Sequence, residues 1–269
     1  MAEHDKDDAQ TLSSVSNAAR LLQEFAKGDR SLGVSELSRR LGLGKSTTHR
    51  LLHTLTRSRL LEQDPITGGY RLGLAIYELG AAASRNMDMH TAATPVLDQF
   101  RQVARATVQV AILDGREVVY VERRESSAGL RLFGRVGHRN SAHCTSTGKV
   151  LLAYLPPEQL DERLDGWELD VRTPSTITDV ATLRAELATV RHDGWAVNYG
   201  ESEKGVVSVA APIRNQTGQV IAALSMAGAG TDNVPRNQLA KYAKLTIEAA
   251  DAISRRLGWQ PIAVEGRQP

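Results

Sequence analysis

Apolar residues recur with the period of an α-helix at the start of the chain. A first amphipathic helix is predicted from their i, i+3, i+4, i+7 spacing, at Val15, Ala18, Ala19, Leu22, Phe25 and Ala26. Ser13 or Ser14 is the expected N-cap, and Gly28 is expected to end the helix.

Two further helices are predicted with a glycine between them. Leu37 and Leu41, spaced i,i+4, give the second helix an apolar stripe, and Gly42 can adopt the backbone angles of a helix stop. If the third helix begins near Lys45, one of its faces is suited to packing, with Thr48, Leu51, Leu52 and Leu55. The opposite face is polar, with Ser46, Arg50, His53 and Arg57. The pattern predicts a helix-turn-helix.

A hairpin and a short helical linker follow. The strand-like runs Leu60–Gln63 and Tyr70–Leu72 flank the turn residues Asp64–Gly69. Three helices and a hairpin are typical of a winged helix-turn-helix, whose third helix enters the DNA major groove. From Gly73 to about Asp88 the pattern predicts a linker helix with an apolar stripe at Leu74, Tyr77 and Ala81.

From Thr91 onward the pattern alternates between helix and strand. A helix with Val96, Leu97, Phe100 and Val103 precedes a strand at Val108–Leu113, a two-residue turn at Asp114-Gly115 and a return strand at Glu117–Glu122. Further strands are predicted at 130–135, 196–199, 206–213 and 220–226, and further helices near 147–154, 183–192 and 238–256. The fold class is therefore α+β, with an antiparallel sheet and flanking helices.

Length and composition favour a globular protein of two domains. The chain has 269 residues, 41% of them hydrophobic. One cysteine excludes an internal disulfide, and the lack of an apolar leader or long uncharged apolar run favours the cytoplasm. We expect a disordered tail at 1–11, a DNA-binding domain at 12–73, a linker helix at 74–90, an effector-binding domain at 91–258 and a flexible tail at 259–269.

Positive charge is concentrated in the first domain. The net charge of the chain is only +2, yet Glu36 is the only acid between Arg30 and Leu60. Such a local excess suits a phosphate-facing surface, although a solvated helix face would look similar. We expect Arg50 to contact DNA and Lys45, at the helix start, to contact phosphate. The complete predicted DNA-binding set is Lys45, Ser46, Thr47, His49, Arg50, His53, Arg57 and Arg39.

Several short motifs, taken in order, resemble the IclR family of transcriptional regulators. They include Ser35–Leu37, Gly42–Thr47 and Tyr70–Gly73 in the first domain, and His143–Lys149 and Glu203–Gly205 in the second. The resemblance covers about Leu12 to Leu257. It implies a GAF-like sensor fold for the second domain. It also implies that the protein is a homo-oligomeric repressor rather than an enzyme, that it binds a pseudo-palindromic operator and a small organic acid, and that it controls a catabolic operon.

The segment Ser146–Lys149 is the predicted effector site. Hydroxyls and backbone N–H groups at a helix start attract a carboxylate or a phosphate, but Ser146 and Thr147 would equally serve to cap their own helix. The resemblance implies a pocket lined by Ser146, Thr147, Gly148, Asn198, Ser208 and Ser225. Asn198 and Ser208 stand where the family often has an acid and a cysteine, so we expect a neutral pocket.

Other functions were weighed against this interpretation. His143 and Cys144, adjacent in an extended segment, would project to opposite sides and suit neither a metal site nor a catalytic dyad. The sequence lacks a phosphate loop, paired cysteine motifs and a nucleophile elbow, and we expect no cofactor and no membrane partner. The alternative is a sensor or enzyme whose basic first domain binds RNA or a protein, although that domain lacks the aromatic strands and Gly-x-x-Gly loop of common RNA modules.

Overall fold

The computed structural model describes residues 12–27, 29, 31–85, 89–126, 135–229 and 236–260. Its contacts divide the chain into two compact units, Met1–Met87 and Asp88–Pro269. The first unit holds helices and a small hairpin, and the second holds an antiparallel sheet with helices on both faces. The predicted α+β class is confirmed. Within the described residues, no helix is both long and apolar enough to cross a bilayer.

Three helices build the core of the first unit. They are α1 (Ser13–Ala26), α2 (Val34–Leu41) and α3 (Lys45–Arg57). Their buried side chains form one cluster with the hairpin: Leu21, Phe25, Leu32, Leu37, Leu41, Leu52, Leu55, Leu61 and Tyr70. Complete burial of a leucine such as Leu52 contributes about 2 kcal/mol to folding, so this core holds the three helices in a fixed arrangement.

The turn between α2 and α3 depends on one glycine. Gly42 caps α2 with a left-handed φ of 67°, and its N–H donates to the Ser38 carbonyl. Leu43 N also donates to the Ser38 carbonyl at 3.1 Å, and Ser38 Oγ donates to the Leu43 carbonyl at 2.6 Å. The predicted helix stop at Gly42 is confirmed, and these bonds fix the direction in which α3 leaves the turn.

A short hairpin completes the first unit. Strands β1 (Leu61–Gln63) and β2 (Tyr70–Leu72) pair antiparallel, as predicted, and Leu32 joins Tyr70 in an isolated bridge. Helix α4 (Leu74–Arg85) follows directly. Three of its apolar side chains are exposed, namely Leu74 (51%), Tyr77 (74%) and Leu79 (60%). Leu74 and Tyr77, spaced i,i+3, share one face of α4 as predicted, whereas Leu79 lies on another face, and the burial of Ala81 lies outside what the structure describes.

The predicted packing face of α1 is partly wrong. Val15, Ala19 and Ala26 are exposed, and the buried residues are Leu21, Glu24 and Phe25. The first half of α1 stands off α3 across an open groove of about 470 Å³, so Val15 has no packing partner there. The N-cap is Leu12, which makes no side-chain cap bond, rather than Ser13 or Ser14. The expected stop at Gly28 lies outside the described residues.

An antiparallel sheet forms the centre of the second unit. Its strands are β3 (Thr107–Asp114), β4 (Glu117–Arg124), β5 (Arg139–Ser141), β6 (Ala196–Tyr199), β7 (Val206–Arg214) and β8 (Val220–Ala229), in the spatial order β5-β4-β3-β8-β7-β6. Every neighbouring pair is antiparallel. The β3–β4 turn consists of Gly115 and Arg116, not Asp114-Gly115, because Asp114 pairs with Glu117.

Helices cover both faces of this sheet. Helices α5 (Met89–Ala104) and α9 (Leu239–Arg256) pack on one face, with Val110, Val209 and Leu224 between them and the strands. Helices α6 (Ser146–Ala153), α7 (Pro157–Leu164) and α8 (Val180–Asp193) contribute to the core on the other face. Because strand residues alternate between faces, Ser208, Ala210, Ala223 and Ser225 share the α6 side.

Some predictions for the second unit need correction. Val103 of α5 is 58% exposed rather than packed. Its neighbours Phe100 and Ala104 are buried, so the other side of α5, which carries Val103, faces solvent. Strand β5 and helix α7 were not predicted at all. The strand predicted at 130–135 lies almost entirely outside the described residues.

Candidate functional site

The third helix presents a polar face to solvent. Thr48 and Leu52 are fully buried and Leu55 nearly so, which fixes the rotation of α3 about its axis. All seven α3 residues of the predicted DNA-binding set are exposed: Lys45, Ser46, Thr47, His49, Arg50, His53 and Arg57. The predicted division of α3 into a packing face and an open face is therefore confirmed.

The cations of α2 and α3 have different partners. On α2, Arg39 Nη2 lies 2.7 Å and Arg40 Nε 2.6 Å from Glu36 Oε1, and these two arginines lower the pKa of that carboxyl. Across the described residues, no acid forms an ion pair with the α3 cations Lys45, Arg50 and Arg57. Arg39 belongs to the predicted DNA-binding set, but its charge is largely compensated. The uncompensated positive charge lies on α3.

The start of α3 is open. Its N-cap is Gly44, which has no side chain to bond the first N–H groups of the helix, and Thr48 Oγ1 donates back to the Gly44 carbonyl at 3.1 Å. Unpaired N–H groups and the positive end of the helix dipole favour an anion at this position. Lys45, the first helical residue, adds a full positive charge beside it. The start of α3 can therefore bind a phosphate.

In the second unit, polar side chains enclose a small cavity on the α6 side of the sheet. Its volume is about 50 Å³. Of the predicted effector residues, Asn198 and Ser208 line it, whereas Ser146, Thr147, Gly148 and Ser225 do not. The described residues that line it are Gln109, Tyr120, Arg123, Asn140, Thr145, Asn198, Ser202, Glu203, Val206, Ser208 and Ala227. We call the space that these residues line the polar cavity.

Buried hydroxyls adjoin the polar cavity. Ser146 Oγ lies 2.7 Å from Ser208 Oγ, so the first residue of α6 is bonded directly to a cavity residue. Thr147 Oγ1 and Ser225 Oγ are buried. Ser225 Oγ makes no hydrogen bond with the residues that the structure describes, and Thr147 Oγ1 meets only the Tyr120 hydroxyl among them. A buried hydroxyl without a partner costs about 1–3 kcal/mol. Both groups are therefore available to a ligand that reaches them.

The start of α6 is capped by a residue that the sequence analysis did not single out. Thr145 Oγ1 accepts a hydrogen bond from Gly148 N at 3.1 Å, so neither Ser146 nor Thr147 serves as the cap. Gly148 packs so closely on the preceding 3-10 turn that an added Cβ would lie 2.2 Å from the Ala142 oxygen. This contact, rather than backbone freedom, is the reason for a glycine at 148.

A buried ion pair lies one turn further along α6. Lys149 is 1% exposed, and its Nζ donates to Glu201 Oε1 at 2.8 Å and to Glu186 Oε1 at 3.0 Å. Burial raises the pKa of Glu201, and the Lys149 ammonium opposes that rise. Asn198 Oδ1 accepts a hydrogen bond from Glu201 N at 2.8 Å. The pair is thus connected through Asn198 to the polar cavity.

Two cavity residues that the sequence analysis missed are Gln109 and Arg123. They face each other on β3 and β4, and Arg123 Nη1 donates to Gln109 Oε1 at 2.9 Å. The Arg123 side chain is only 7% exposed. The described lining of the polar cavity therefore holds a cation and an acid, Arg123 and Glu203, whereas the sequence analysis expected a neutral pocket. Arg123 lies between Glu122 and Arg124 at the charged end of β4, so the local pattern did not single it out.

His143 and Cys144 show no catalytic arrangement. They lie in the 3-10 turn Ala142–Cys144 rather than in the expected extended segment, and both are buried. His143 Nε2 lies 3.0 Å from the Asp170 carbonyl, and burial lowers the pKa of this imidazole. Burial raises the pKa of the Cys144 thiol to about 11, so the thiolate is scarce at neutral pH. Among the described residues no cluster of His, Cys, Asp and Glu could hold a metal ion.

Known proteins match nearly the whole chain. Residues 14–65 match the profile described as "IclR helix-turn-helix domain", and residues 81–255 match "Bacterial transcriptional regulator IclR C-terminal". The regulator XynR of Escherichia coli K12 is 35% identical, over 92% of this chain and 98% of its own length. The transcriptional repressor AllR of Klebsiella pneumoniae is 31% identical, over 90% of this chain and 89% of its own length. A crystal structure is known of an IclR homologue from Microbacterium hydrocarbonoxydans complexed with 4-hydroxybenzoate. That protein is 30% identical to this chain, and its structure matches with a TM-score of 0.82 over 91% of this chain and 99% of its own.

Proposed function

The chain belongs to the IclR family of transcriptional regulators, and from this premise we propose that it represses transcription by binding a pseudo-palindromic operator and that a small organic acid changes its affinity for this operator. The family consists of regulators rather than enzymes, and its members carry a DNA-binding and an effector-binding domain. A relative is named as a repressor. Control of a catabolic operon is part of the proposal.

One observation supports operator binding above all. Helix α3 is held by buried Thr48 and Leu52, while its exposed cations Lys45, Arg50 and Arg57 form no ion pair with any described acid. A rigid helix with an open, uncompensated positive face fits the major groove of DNA. Arg50, in the middle of the exposed face, is proposed to read a base edge. Ser46, Thr47 and Arg57 are proposed to flank it, and Lys45 to bind a phosphate.

Substitution of Arg50 tests this assignment. A duplex is first selected from random-sequence DNA by the wild-type protein, and the affinity of each variant is then measured by fluorescence anisotropy at several salt concentrations. Arg50→Ala is expected to weaken binding by about 1–3 kcal/mol if Arg50 reads a base, or to lower the salt slope by about one if it contacts phosphate. Arg184→Ala is the matched control, because it removes the same charge from an exposed arginine of the second unit. Unchanged binding by a folded Arg50→Ala protein would overturn the assignment of Arg50 as a DNA contact.

Dimer formation is proposed to occur through α4. Its Leu74 and Tyr77, spaced i,i+3, form an exposed apolar face, and two DNA-binding units are needed to bind two half-sites. Replacing Tyr77 with Glu is expected to lower the dimer fraction measured by light scattering at micromolar concentration. A monomeric wild-type protein that still binds the operator tightly would contradict the proposal.

The effector is proposed to bind at the α6 side of the sheet. Asn198 and Ser208 line the polar cavity, and Ser146 is bonded to Ser208. Thr147 and Ser225 offer further buried hydroxyls. A coupling of about 1–3 kcal/mol between effector and operator is the usual scale. Thr147→Val keeps the side-chain shape but removes the donor, so it is expected to abolish the response of operator binding to the acid. A response equal to that of the wild type would place the effector elsewhere.

A further inference from the structure

Among the described residues, one buried cation lines the polar cavity. Arg123 is the arginine among its lining residues, and its side chain is only 7% exposed. It donates to Gln109 Oε1, and Gln109 is itself 6% exposed. A buried guanidinium is an expensive group to place in a fold, because the charge must leave water. Its five fixed N–H donors match the two oxygens of a carboxylate better than any other side chain.

An irregularity in β4 places Arg123 on this face. Val110 pairs with Glu122 and the next residue of β3, Ala111, pairs with Tyr120, so one extra residue, Val121, is inserted opposite them. With strict alternation, Tyr120 and Arg123 would lie on opposite faces of the sheet. The bulge brings both to the α6 side, and Glu122 turns to the other face, where it contacts His90 of α5. Bulges commonly re-aim a side chain in this way next to a binding site.

We propose that Arg123 binds the carboxylate of the effector, and that the effector is a small aliphatic hydroxy acid rather than an aromatic acid. The inference rests on the proposed function and names the ligand class of the same site. The carboxylate lies against Arg123, and the hydroxyl group of the ligand reaches the polar groups of Asn198 on β6, Ser208 on β7 and Ser202 in the loop after β6.

The size of the cavity decides between the two classes of acid. Its volume of about 50 Å³ holds roughly three or four water-sized groups, whereas pockets for drug-sized ligands measure about 300–1,000 Å³. This small volume favours an acid of about two or three carbons over an acid with a benzene ring. The lining is also unsuited to a ring, since Val206 and Ala227 are its only purely apolar side chains among the described residues.

Two acids near Arg123 within the described residues are exposed. Glu203 lies at the cavity and is exposed, and Glu125 Oε1 lies 3.7 Å from Arg123 Nε with a side chain that is 62% exposed. Water and salt screen exposed carboxylates. Their repulsion of an anionic ligand is therefore weaker than the attraction of the buried guanidinium.

The test compares acids with their neutral amides. Dissociation constants of glycolate, lactate, glycolamide, lactamide and 4-hydroxybenzoate are measured by calorimetry on the full-length protein without DNA. The two hydroxy acids are expected to bind the wild type, and the amides to bind at least about tenfold more weakly, because they lack the charge that meets Arg123. Arg123→Gln is expected to weaken acid binding by about tenfold to a hundredfold, and Arg123→Lys by less. Arg139→Gln, which alters a surface ion pair with Glu117, is the matched control.

Each outcome bears on one of the two proposals. Equal binding of acid and amide by the wild type overturns the inference even if Arg123→Gln fails to fold. It is also overturned if a folded Arg123→Gln protein binds lactate as the wild type does, or if only 4-hydroxybenzoate binds. In those cases, if Thr147→Val loses the acid binding that the wild type shows, the effector site of the proposed function still stands. If none of the acids binds, the inference falls, and operator binding by α3, measured separately, still tests the DNA-binding half of the proposed function.

Discussion

Replacing Lys149 with methionine should destabilise the second unit in a pH-dependent way. Lys149 is 1% exposed and its ammonium lies 2.8 Å from Glu201 Oε1. Glu201 is 7% exposed, and its Oε2 has no hydrogen-bond partner among the described residues. Methionine fills the space of the lysine stem but leaves the carboxylate buried without a cation. Breaking a buried pair in this way costs about 3–5 kcal/mol.

The double variant separates the ion pair from the packing. In Lys149→Met/Glu201→Gln no charge remains buried, so most of the lost stability is expected to return. Glu186 needs no substitution because its side chain is 33% exposed and can turn toward solvent. Urea unfolding followed by tryptophan fluorescence is a suitable assay. All three tryptophans, Trp167, Trp195 and Trp259, belong to the second unit, so the signal reports that unit alone.

The sign of the pH dependence follows from Glu201. Burial already raises its pKa above the ordinary value of 4.5, and Lys149 opposes that rise. Without the lysine the folded-state pKa rises further, so the folded protein binds more protons than the unfolded one between the two pKa values. The variant therefore loses stability as pH rises from about 4.5 through the folded-state pKa, and its deficit is largest above that value. A deficit that is the same at pH 5 and pH 8, or equal in the single and double variants, would refute the reasoning.

Three further predictions concern single positions. Gly42→Ala should cost the first unit about 1–2 kcal/mol, because alanine is strained at a φ of 67°; an unchanged midpoint in thermal unfolding followed by circular dichroism would contradict this. Gly148→Ala should cost at least about 1–3 kcal/mol, because its Cβ would lie 2.2 Å from the Ala142 oxygen, and tryptophan fluorescence in urea should show a lower midpoint than for the wild type. Cys144, with a pKa of about 11, should be about one part in a thousand thiolate at pH 8; rapid reaction of the native protein with a disulfide reagent would show that the thiol is neither buried nor shifted.

Local patterns were sufficient to predict the first unit. The spacing of Leu37 and Leu41, the glycine at 42 and the division of α3 into two faces are all properties of neighbouring residues. The packing face of α1 was predicted less well, since Val15 is exposed. Periodicity gives the apolar stripe of a helix but does not reveal where a partner helix stands off, as α3 does from the first half of α1.

The polar cavity depends on contacts between distant residues. Gln109 and Arg123 meet across a strand pair, and Lys149 meets Glu201 from 52 residues away. No local spacing predicts such pairs. Asn198 and Ser208 were predicted through the resemblance rather than from periodicity, and both line the cavity. The predicted role of the residues at the start of α6 remains a prediction, because Ser146, Thr147 and Gly148 are buried without lining the cavity.

The extra residue in β4 also affects how the chain should be aligned with its relatives. Val121 adds one position between Tyr120 and Arg123 relative to the opposite strand. A relative without the bulge would be shorter by one residue here. If the alignment gap were placed after Arg123 instead of at Val121, Arg123 would be matched with a residue on the opposite face of the relative's sheet. Ligand preferences should therefore be compared only after the gap is placed at Val121, since one inserted or deleted residue in this strand changes which side chain meets the ligand.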